Sequence, residues 1–403
     1  MIRVEERLNE LMPNDVNESL FKDFEIASLF AYKNNVITQL RNNVNQWGGL
    51  GSNPFTLAKA NDALSFLDII SNKYDVVVAN PPYTDSGDFG AELKAFVEDN
   101  YRRPLKFNSN LYACFIKRCC ELAGDNGKVG MIHPHTFMFI KTFEDVRKFM
   151  LEQTHINVMV DYGLDRVNLF GPGILLDATF YTLDMNSKEK TAGIYFNITA
   201  NQQEKFKKGS LTQAYSDYLN GQPNDRVYTL PQSKLKGIKS YPFIYWISDE
   251  FREKFTKTSL GNYTNILEGV KTGNNSAAIR FHWELSFPFY NSEKWCFYTK
   301  GGPYNKWFGN VWTCVNRAND FALIKSQSTW NIPAIKYQIG ITYSKVSSKG
   351  TDFRLLDENT LYDSGSCSIF TETKNIWAIL SVVNTSLIKY VCDCLNPTVN
   401  TVI

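Results

Sequence analysis

Strong net charge, paired metal-ligand cysteines and long apolar runs are all missing from this sequence, and each absence closes off a class of function. The 43 Lys and Arg residues are nearly matched by 41 Asp and Glu, leaving a formal net charge of +2 at pH 7. There is therefore no global attraction to nucleic acid, and any such contact must come from local clustering. Eight cysteines are present but no Cys-x-x-Cys pair, and Cys392-Asp-Cys394 has the wrong spacing for structural zinc. Cys114, Cys119 and Cys120 fall on one amphipathic stretch, where they read as free thiols packed in a core. His133-Pro-His135 has no neighbouring cysteine or acidic residue and reads as a strand-end turn, so no metal site is expected. No apolar run approaches the length of a membrane span, and Met1-Ile-Arg-Val-Glu-Glu-Arg lacks the apolar core of a signal peptide. A cytoplasmic protein with no membrane association is the expectation.

The informative chemistry is concentrated at residues 75–83, Asp-Val-Val-Val-Ala-Asn-Pro-Pro-Tyr. A short apolar strand runs straight into two prolines, which cannot continue a ladder and which hold the residue before them extended. Asn80 is thus fixed at the strand's carboxyl end, the end where open α/β sheets bind ligands. The turn offers an amide side chain, backbone carbonyls and the aromatic face of Tyr83. That set suits a planar group with an exocyclic amine, such as adenine: the amine donates to Asn80 Oδ1 and the Pro81 carbonyl while the ring stacks on Tyr83. A plain proline-terminated core strand is the alternative. Average residue usage gives this tetrapeptide in about one chain in a thousand of this length, which favours the functional reading.

The segment resembles the catalytic Asn-Pro-Pro-Tyr motif of S-adenosylmethionine-dependent methyltransferases that make N6-methyladenine in DNA. The stretch from Asn110-Leu-Tyr through the Gly124-Asp-Asn-Gly turn to Lys128-Val-Gly-Met-Ile-His-Pro resembles the helix, turn and strand that come after that motif in such enzymes. Val158-Met-Val-Asp-Tyr-Gly and Asp177-Ala-Thr-Phe-Tyr resemble the next strands. Further on, Glu268-Gly-Val-Lys-Thr-Gly-Asn-Asn, Lys300-Gly-Gly-Pro-Tyr-Asn-Lys-Trp, Gly340-Ile-Thr-Tyr-Ser-Lys and Leu395-Asn-Pro-Thr resemble the target-recognition region of BREX phage-defence adenine methyltransferases, the PglX family. The resemblance runs from about Leu57 to the C-terminus. It implies S-adenosylmethionine as methyl donor and double-stranded DNA with a flipped adenine as partner. It assigns catalysis to Asn80, Pro81, Pro82 and Tyr83, with Asn80 and the Pro81 carbonyl drawing the amine toward a tetrahedral geometry, Pro82 fixing the turn and Tyr83 stacking on the base. Lys271, Thr272, Asn274 and Arg280, with Lys300, Tyr304, Lys306 and Trp307 on a flexible Gly-rich loop, are the candidate DNA contacts: lysines for phosphates, Asn and Arg for base edges.

One part of the family pattern is not found. Such enzymes bind the cofactor on a Gly-rich loop after the first strand, and the nearest candidate here, Trp47-Gly-Gly-Leu-Gly-Ser, comes after a polar helical stretch rather than a buried strand. Both ends read as cut, and the chain is expected to be a fragment, a split-gene product or a remnant of a larger methyltransferase, inactive alone. The expected organisation is a helical lead-in at 1–56, a partial doubly wound Rossmann-like catalytic domain at 57–200, a linker at 201–241 and a β-rich α+β target-recognition domain at 242–403, closed by a helix over Ile376–Cys394. Such a half-sheet exposes an unpaired edge, which predicts poor solubility or a partner chain that completes it. Two other functions stay open: a non-catalytic DNA-binding module of a defence complex, and a methyltransferase acting on a protein glutamine amide.

Overall fold

The computed structural model describes residues 38–39, 41–44, 46, 54–165, 176–186, 192–199, 204–287, 292–327, 338–345, 349–371 and 375–395. Trp47 to Ser52, the nearest candidate for a cofactor loop, lies outside them, as does most of the 1–56 lead-in. By contacts the chain divides into Met1–Asp75 with Glu121–Gly124, and Val76–Cys120 with Asp125–Ile403. The first unit contributes helix α1, Pro54–Ser71.

The second unit is built on a six-stranded mixed sheet in the order β1-β2-β4-β3-β5-β6. Its strands are β1 (Tyr74–Ala79, whose first two residues belong to the first unit), β2 (Ala123–Pro134), β3 (His155–Asp165), β4 (Leu176–Asp184), β5 (Gly193–Asn197) and β6 (Val227–Leu230). Helices α2 (Ala91–Tyr101) and α3 (Leu111–Leu122) link β1 to β2, and α4 (Glu144–Gln153) links β2 to β3. β4 pairs antiparallel with both β2 and β3, while β3 and β5 run parallel. Alternation along the strands divides the core into two faces. Met131, Met159, Tyr181 and Leu183 are buried on one. Val158, Val160, Phe180 and Phe196 point to the other, which α5 (Glu204–Leu219) covers with Leu211 and Ala214. The expected α/β class is the observed one, and β1 falls on the residues that the apolar run and the prolines bound.

The stretch expected as a linker, 201–241, is part of this domain. Its described residues form α5 and β6, the sheet's last strand. The segment after β6 is clamped onto the sheet domain by buried donors. Arg147, fully buried on α4, donates from Nε and Nη2 to the Ser240 carbonyl at 3.0 and 2.7 Å, and from Nη1 to the Phe137 and Ile140 carbonyls. The Gln232 side chain accepts from the Ile156 amide and donates to the Leu151 and Thr154 carbonyls. Polar composition suggested a tether, but Gln232 and the Ser240 carbonyl are fastened to groups of the sheet domain, because buried carbonyls and amides must be satisfied.

Beyond α6 (Asp249–Lys254) the chain becomes β-rich, as its aromatic and turn-rich texture predicted. Strands β7 (Thr264–Leu267), β8 (Ile279–Phe281), β9 (Trp295–Thr299), β10 (Thr313–Asn316), β11 (Gly340–Thr342), β12 (Arg354–Leu356), β13 (Thr360–Tyr362) and β14 (Ser368–Thr371) form two four-stranded sheets. One has the order β13-β9-β10-β8 and the other β12-β11-β14-β7. Short helices α7 (Asn275–Ala278) and α8 (Ala318–Gln327) flank the first sheet. Val270, Cys296, Tyr298, Val315 and Ile324 form its core, and Ile341, Phe353, Ile369 and Leu380 that of the second. The closing helix expected over Ile376–Cys394 is two helices, α9 (Ile376–Val383) and α10 (Ser386–Leu395), bent by 66°. Asn384 breaks it: its side-chain amide donates to the Phe353 and Leu380 carbonyls at 2.9 and 3.1 Å, and Thr385 Oγ1 then accepts the Ile388 amide to start α10. No single helix among the described residues is long and apolar enough to cross a membrane.

Candidate active site at the Asn-Pro-Pro-Tyr turn

β1 ends at Ala79, and the turn beyond it places Asn80 in the open with Pro81 buried beneath it. Tyr83, half-buried, folds back so that its hydroxyl donates to Asn80 Oδ1 at 2.6 Å. Burial pushes the Tyr83 phenol up to about 12, so the hydroxyl keeps its proton and acts as a donor at any ordinary pH. The bond fixes the amide's rotation and occupies one lone pair of Oδ1, the atom an incoming amine needs; the second lone pair stays available. The turn is tied to the start of α3. The Leu111 amide donates to the Thr84 carbonyl at 3.0 Å, the Ser86 amide to the Ser109 carbonyl at 3.0 Å, and Asn110 Nδ2 to Asp85 Oδ1 at 2.6 Å. Buried Asn110 in turn accepts the Tyr112 amide on Oδ1 at 3.1 Å. Asn110-Leu-Tyr, read in the sequence as a helix opening, is therefore also the brace of the turn.

Behind the brace lies an aromatic stack. Tyr112 lies flat against His133, centroids 4.6 Å apart and planes 9° apart. His133 is fully buried: its Nδ1 faces the Pro134 carbonyl at 3.0 Å and its Nε2 the Tyr181 hydroxyl at 2.7 Å. A carbonyl only accepts, so Nδ1 carries the proton and Nε2 accepts from Tyr181. Burial drives the imidazole down to about 3, so it is neutral. His135 pairs with Asp161, both buried, Nδ1 to Oδ1 3.0 Å. The sequence showed no acidic neighbour for these histidines; β3 supplies one through the fold, and no metal-binding cluster occurs among the described residues.

Asn80 sits at one end of an apolar concavity of about 600 Å³ over β1, β2, β4 and β3, floored by Val78, Gly130, Ile132, Val160 and Phe180. The described residues around it do not fit S-adenosylmethionine. Asp161 is buried against His135, and Asp85 braces Asn110 through Oδ1. Gly87 and Gly90 come after β1 in open space, where an added Cβ meets nothing within 4 Å, so neither marks a close backbone approach.

The expected DNA contacts divide. Arg280 and Lys300 are brought together on one cleft of about 940 Å³ with Lys345 and Trp312. Trp307 and Tyr304 are 51% and 37% exposed. Lys271 and Asn274 are exposed, Asn274 also capping α7 by accepting the Ala277 amide. Two residues are turned inward instead. Thr272 is buried and its hydroxyl donates to Asn275 Oδ1 at 2.5 Å, while Lys306 donates to the Asn384 carbonyl at 2.9 Å, capping the end of α9. The loop that carries Lys306 is braced rather than loose. Asn305 Nδ2 donates to Asn310 Oδ1, Asn310 Nδ2 to the Pro303 carbonyl, and the Trp307 amide to the Phe353 carbonyl. Trp312 and Arg147 were not singled out by the sequence, and Lys345 entered it only as the end of the Gly340-Ile-Thr-Tyr-Ser-Lys motif, since nothing local marks a residue whose neighbours come from distant strands.

Residues 14–170 match the family described as Eco57I restriction-modification methylase. Over more of its length, the chain is 27% identical over 345 residues to the adenine-specific methyltransferase BrxX of Escherichia coli O9:H4 (strain HS), covering 82% of this chain and 27% of that protein. It is 28% identical over 354 residues to the adenine-specific methyltransferase PglX of Lacticaseibacillus casei (strain Zhang), covering 82% and 29%. By sequence the chain is thus similar to the adenine-specific methyltransferases BrxX and PglX, as its motifs indicated, and spans 27–29% of the length of these two. Among solved structures, the DrdV–DNA complex superposes with a TM-score of 0.48 at 11% identity, covering 80% of this chain and 38% of that one. MmeI in complex with DNA gives 0.47 at 10% identity, covering 76% and 42%.

Proposed function

We propose that this chain carries the base-holding half of an adenine-specific DNA methyltransferase of the BREX type, which uses S-adenosylmethionine as methyl donor on a flipped adenine. The observation that carries the reading is the exposed, pre-oriented Asn80 amide at the end of β1, held by Tyr83 and braced through Asp85 and Asn110. An adenine amine is a poor nucleophile because its lone pair is delocalised into the ring. Hydrogen bonds from its two N–H groups to Asn80 Oδ1 and the Pro81 carbonyl favour a pyramidal nitrogen, which takes that lone pair out of conjugation with the ring. Positioning and charge stabilisation then do most of what a strong base would otherwise do. Tyr83 supplies the stacking face that replaces the neighbours the base leaves behind. The donor supplies the methyl group; because the described residues do not fit it, no step is assigned to them beyond holding the base. Double-stranded DNA is the proposed partner, with Arg280 and Lys300 facing its phosphates and Trp307 an exposed aromatic for further contact.

The test needs no methyl donor. The purified chain is titrated with a duplex holding an adenine opposite an abasic site, where the base is already unpaired, and with the fully paired duplex. Tighter binding of the first, reduced about tenfold in Asn80→Ala by loss of one hydrogen-bond acceptor to the base, is the expected result. Equal affinity for both duplexes, unchanged by Asn80→Ala, would overturn the reading.

A further inference from the structure

We propose a second ligand site: a cleft between the two four-stranded sheets that takes the base of an unstacked nucleotide, with the phosphate seated in the cationic cleft next to it. The cleft has a volume of about 730 Å³, a size typical of small-molecule sites. Its walls are aromatic on one side, Phe297 from β9 with Phe308 and Trp312 from the loop beyond it. The opposite side carries Asp357 and Asn359 on the turn between β12 and β13. Thr299, fully buried, also lines it, and its Oγ1 has no hydrogen-bond partner. A buried hydroxyl left unsatisfied costs roughly 1–3 kcal/mol. A ligand atom able to donate to or accept from it removes that cost.

The chemistry selects the ligand. Flat apolar walls take a ring, and acceptor groups at the turn take a ring edge bearing amines or N–H groups. Among the described residues that line this cleft there is no lysine or arginine, His282 being the one basic side chain, so the lining favours a ring over a phosphate. The cations are next door. Trp312 also lines the cleft that holds Arg280, Lys300 and Lys345. Thr299 and Lys300, like Trp312 and Thr313, are adjacent residues that line the first and second clefts respectively at the ends of β9 and β10. A ring on one side of Trp312 and a phosphate on the other is the layout of a nucleotide. The rim is rigid enough to serve: Asn310, buried at 3% exposure with φ +62°, locks the loop between Phe308 and Trp312 through its bonds to Asn305 and Pro303. The site does not use Asn80. It is distinct from the proposed catalytic turn.

Calorimetric titration of the full chain with adenosine, cytidine, guanosine and thymidine 5′-monophosphates tests the assignment. The expected result is saturable binding of at least one, weakened about tenfold or more by Thr299→Val and by Trp312→Ala but retained in Trp312→Phe, with circular dichroism unchanged. Lys300→Ala should weaken the monophosphate and leave the matching nucleoside unaffected; any adenosine binding that is lost in Asn80→Ala but kept in Thr299→Val belongs to the Asn-Pro-Pro-Tyr turn, which separates this site from the catalytic reading. Competition by an oligonucleotide with an unpaired base makes the source an extrahelical base of DNA. Binding of mononucleotides without such competition makes it a free nucleotide. Absence of saturation up to about 10 mM, the weak end of specific binding, or binding unchanged in both Thr299→Val and Trp312→Ala, overturns the proposal.

Discussion

At the scale of single residues, the chain's chemistry rests on side chains whose freedom has been removed. Asn80 is exposed, yet its orientation is set by a 2.6 Å bond from the Tyr83 hydroxyl. The hydroxyl and the ring of Tyr83 have separable tasks, orientation and stacking. Tyr83→Phe keeps the ring and is expected to change affinity for an unpaired adenine by no more than about fivefold, within the ~1 kcal/mol of one neutral hydrogen bond. Tyr83→Ala also removes the stacking face and should cost about tenfold or more, since stacking of one base is worth ~1–3 kcal/mol. Equal effects of the two substitutions, read by fluorescence anisotropy, would refute the division. His133 makes a second residue-scale prediction, on stability. Its folded value, about 3, lies below the ordinary histidine value of 6.5. The unfolded chain therefore binds the proton first, and the stability held above pH 6.5 is lost as pH falls from 6.5 toward 3. The full effect is on the order of a few kcal/mol. His133→Gln, which does not titrate, should lower Tm at pH 7 but flatten the fall of Tm between pH 6.5 and 4. Parallel slopes in the two proteins would show that another group governs the acid response.

At the scale of elements, the sequence was most legible where one short segment contains its own cause. The valine run and its prolines bound β1, and the apolar spacing of residues 110–123 marks α3, observed at Leu111–Leu122. It was less legible where an element depends on a distant partner. The described part of 201–241 forms α5, β6 and a segment fastened by Arg147, because its polar residues find backbone groups on α4 and β3 that no local pattern reveals. The closing helix breaks at Asn384 because its amide is drawn to Phe353, a residue of another layer. Gly269 gives the prediction that belongs here. It lies just past β7, where the neighbouring Val270 amide donates to the Tyr362 carbonyl at 2.8 Å, and a Cβ on Gly269 would lie 2.0 Å from that same carbonyl oxygen. Backbone cannot yield as a flexible side chain does. Gly269→Ala should therefore cost more than ~3 kcal/mol, read as a lowered denaturation midpoint, by separating the 269–270 segment from the end of β13. A loss under ~1 kcal/mol would mean that the two segments can part freely.

At the scale of the whole molecule, apolar surface is distributed unevenly. Val76 and Val78 of β1 are 63% and 76% exposed, and β1 ends the strand order among the described strands. An unpaired edge next to an open apolar face favours association with any chain that can add a strand. Val78→Lys is expected to reduce concentration-dependent self-association in sedimentation velocity while changing Tm by little, since an exposed valine contributes little to the core. An unchanged sedimentation profile would place the sticky surface elsewhere, the exposed aromatics Trp283, Phe287 and Phe308 being the next candidates.

By itself the sequence determined the strand and turn at Asn80, the α/β texture of the first half, the β-rich texture of the second and the similarity to adenine methyltransferases. Those features are local, written in residue types and spacings a few positions long. Only the tertiary structure decided which side chains are free to act. It gave His135 a buried partner in Asp161 and turned Thr272 and Lys306 to internal hydrogen bonds. It also gathered Arg280, Lys300 and Trp312 around adjoining clefts. The physical reason is that a polar side chain's role depends on what else can satisfy it, and in this chain many of those partners are distant in sequence.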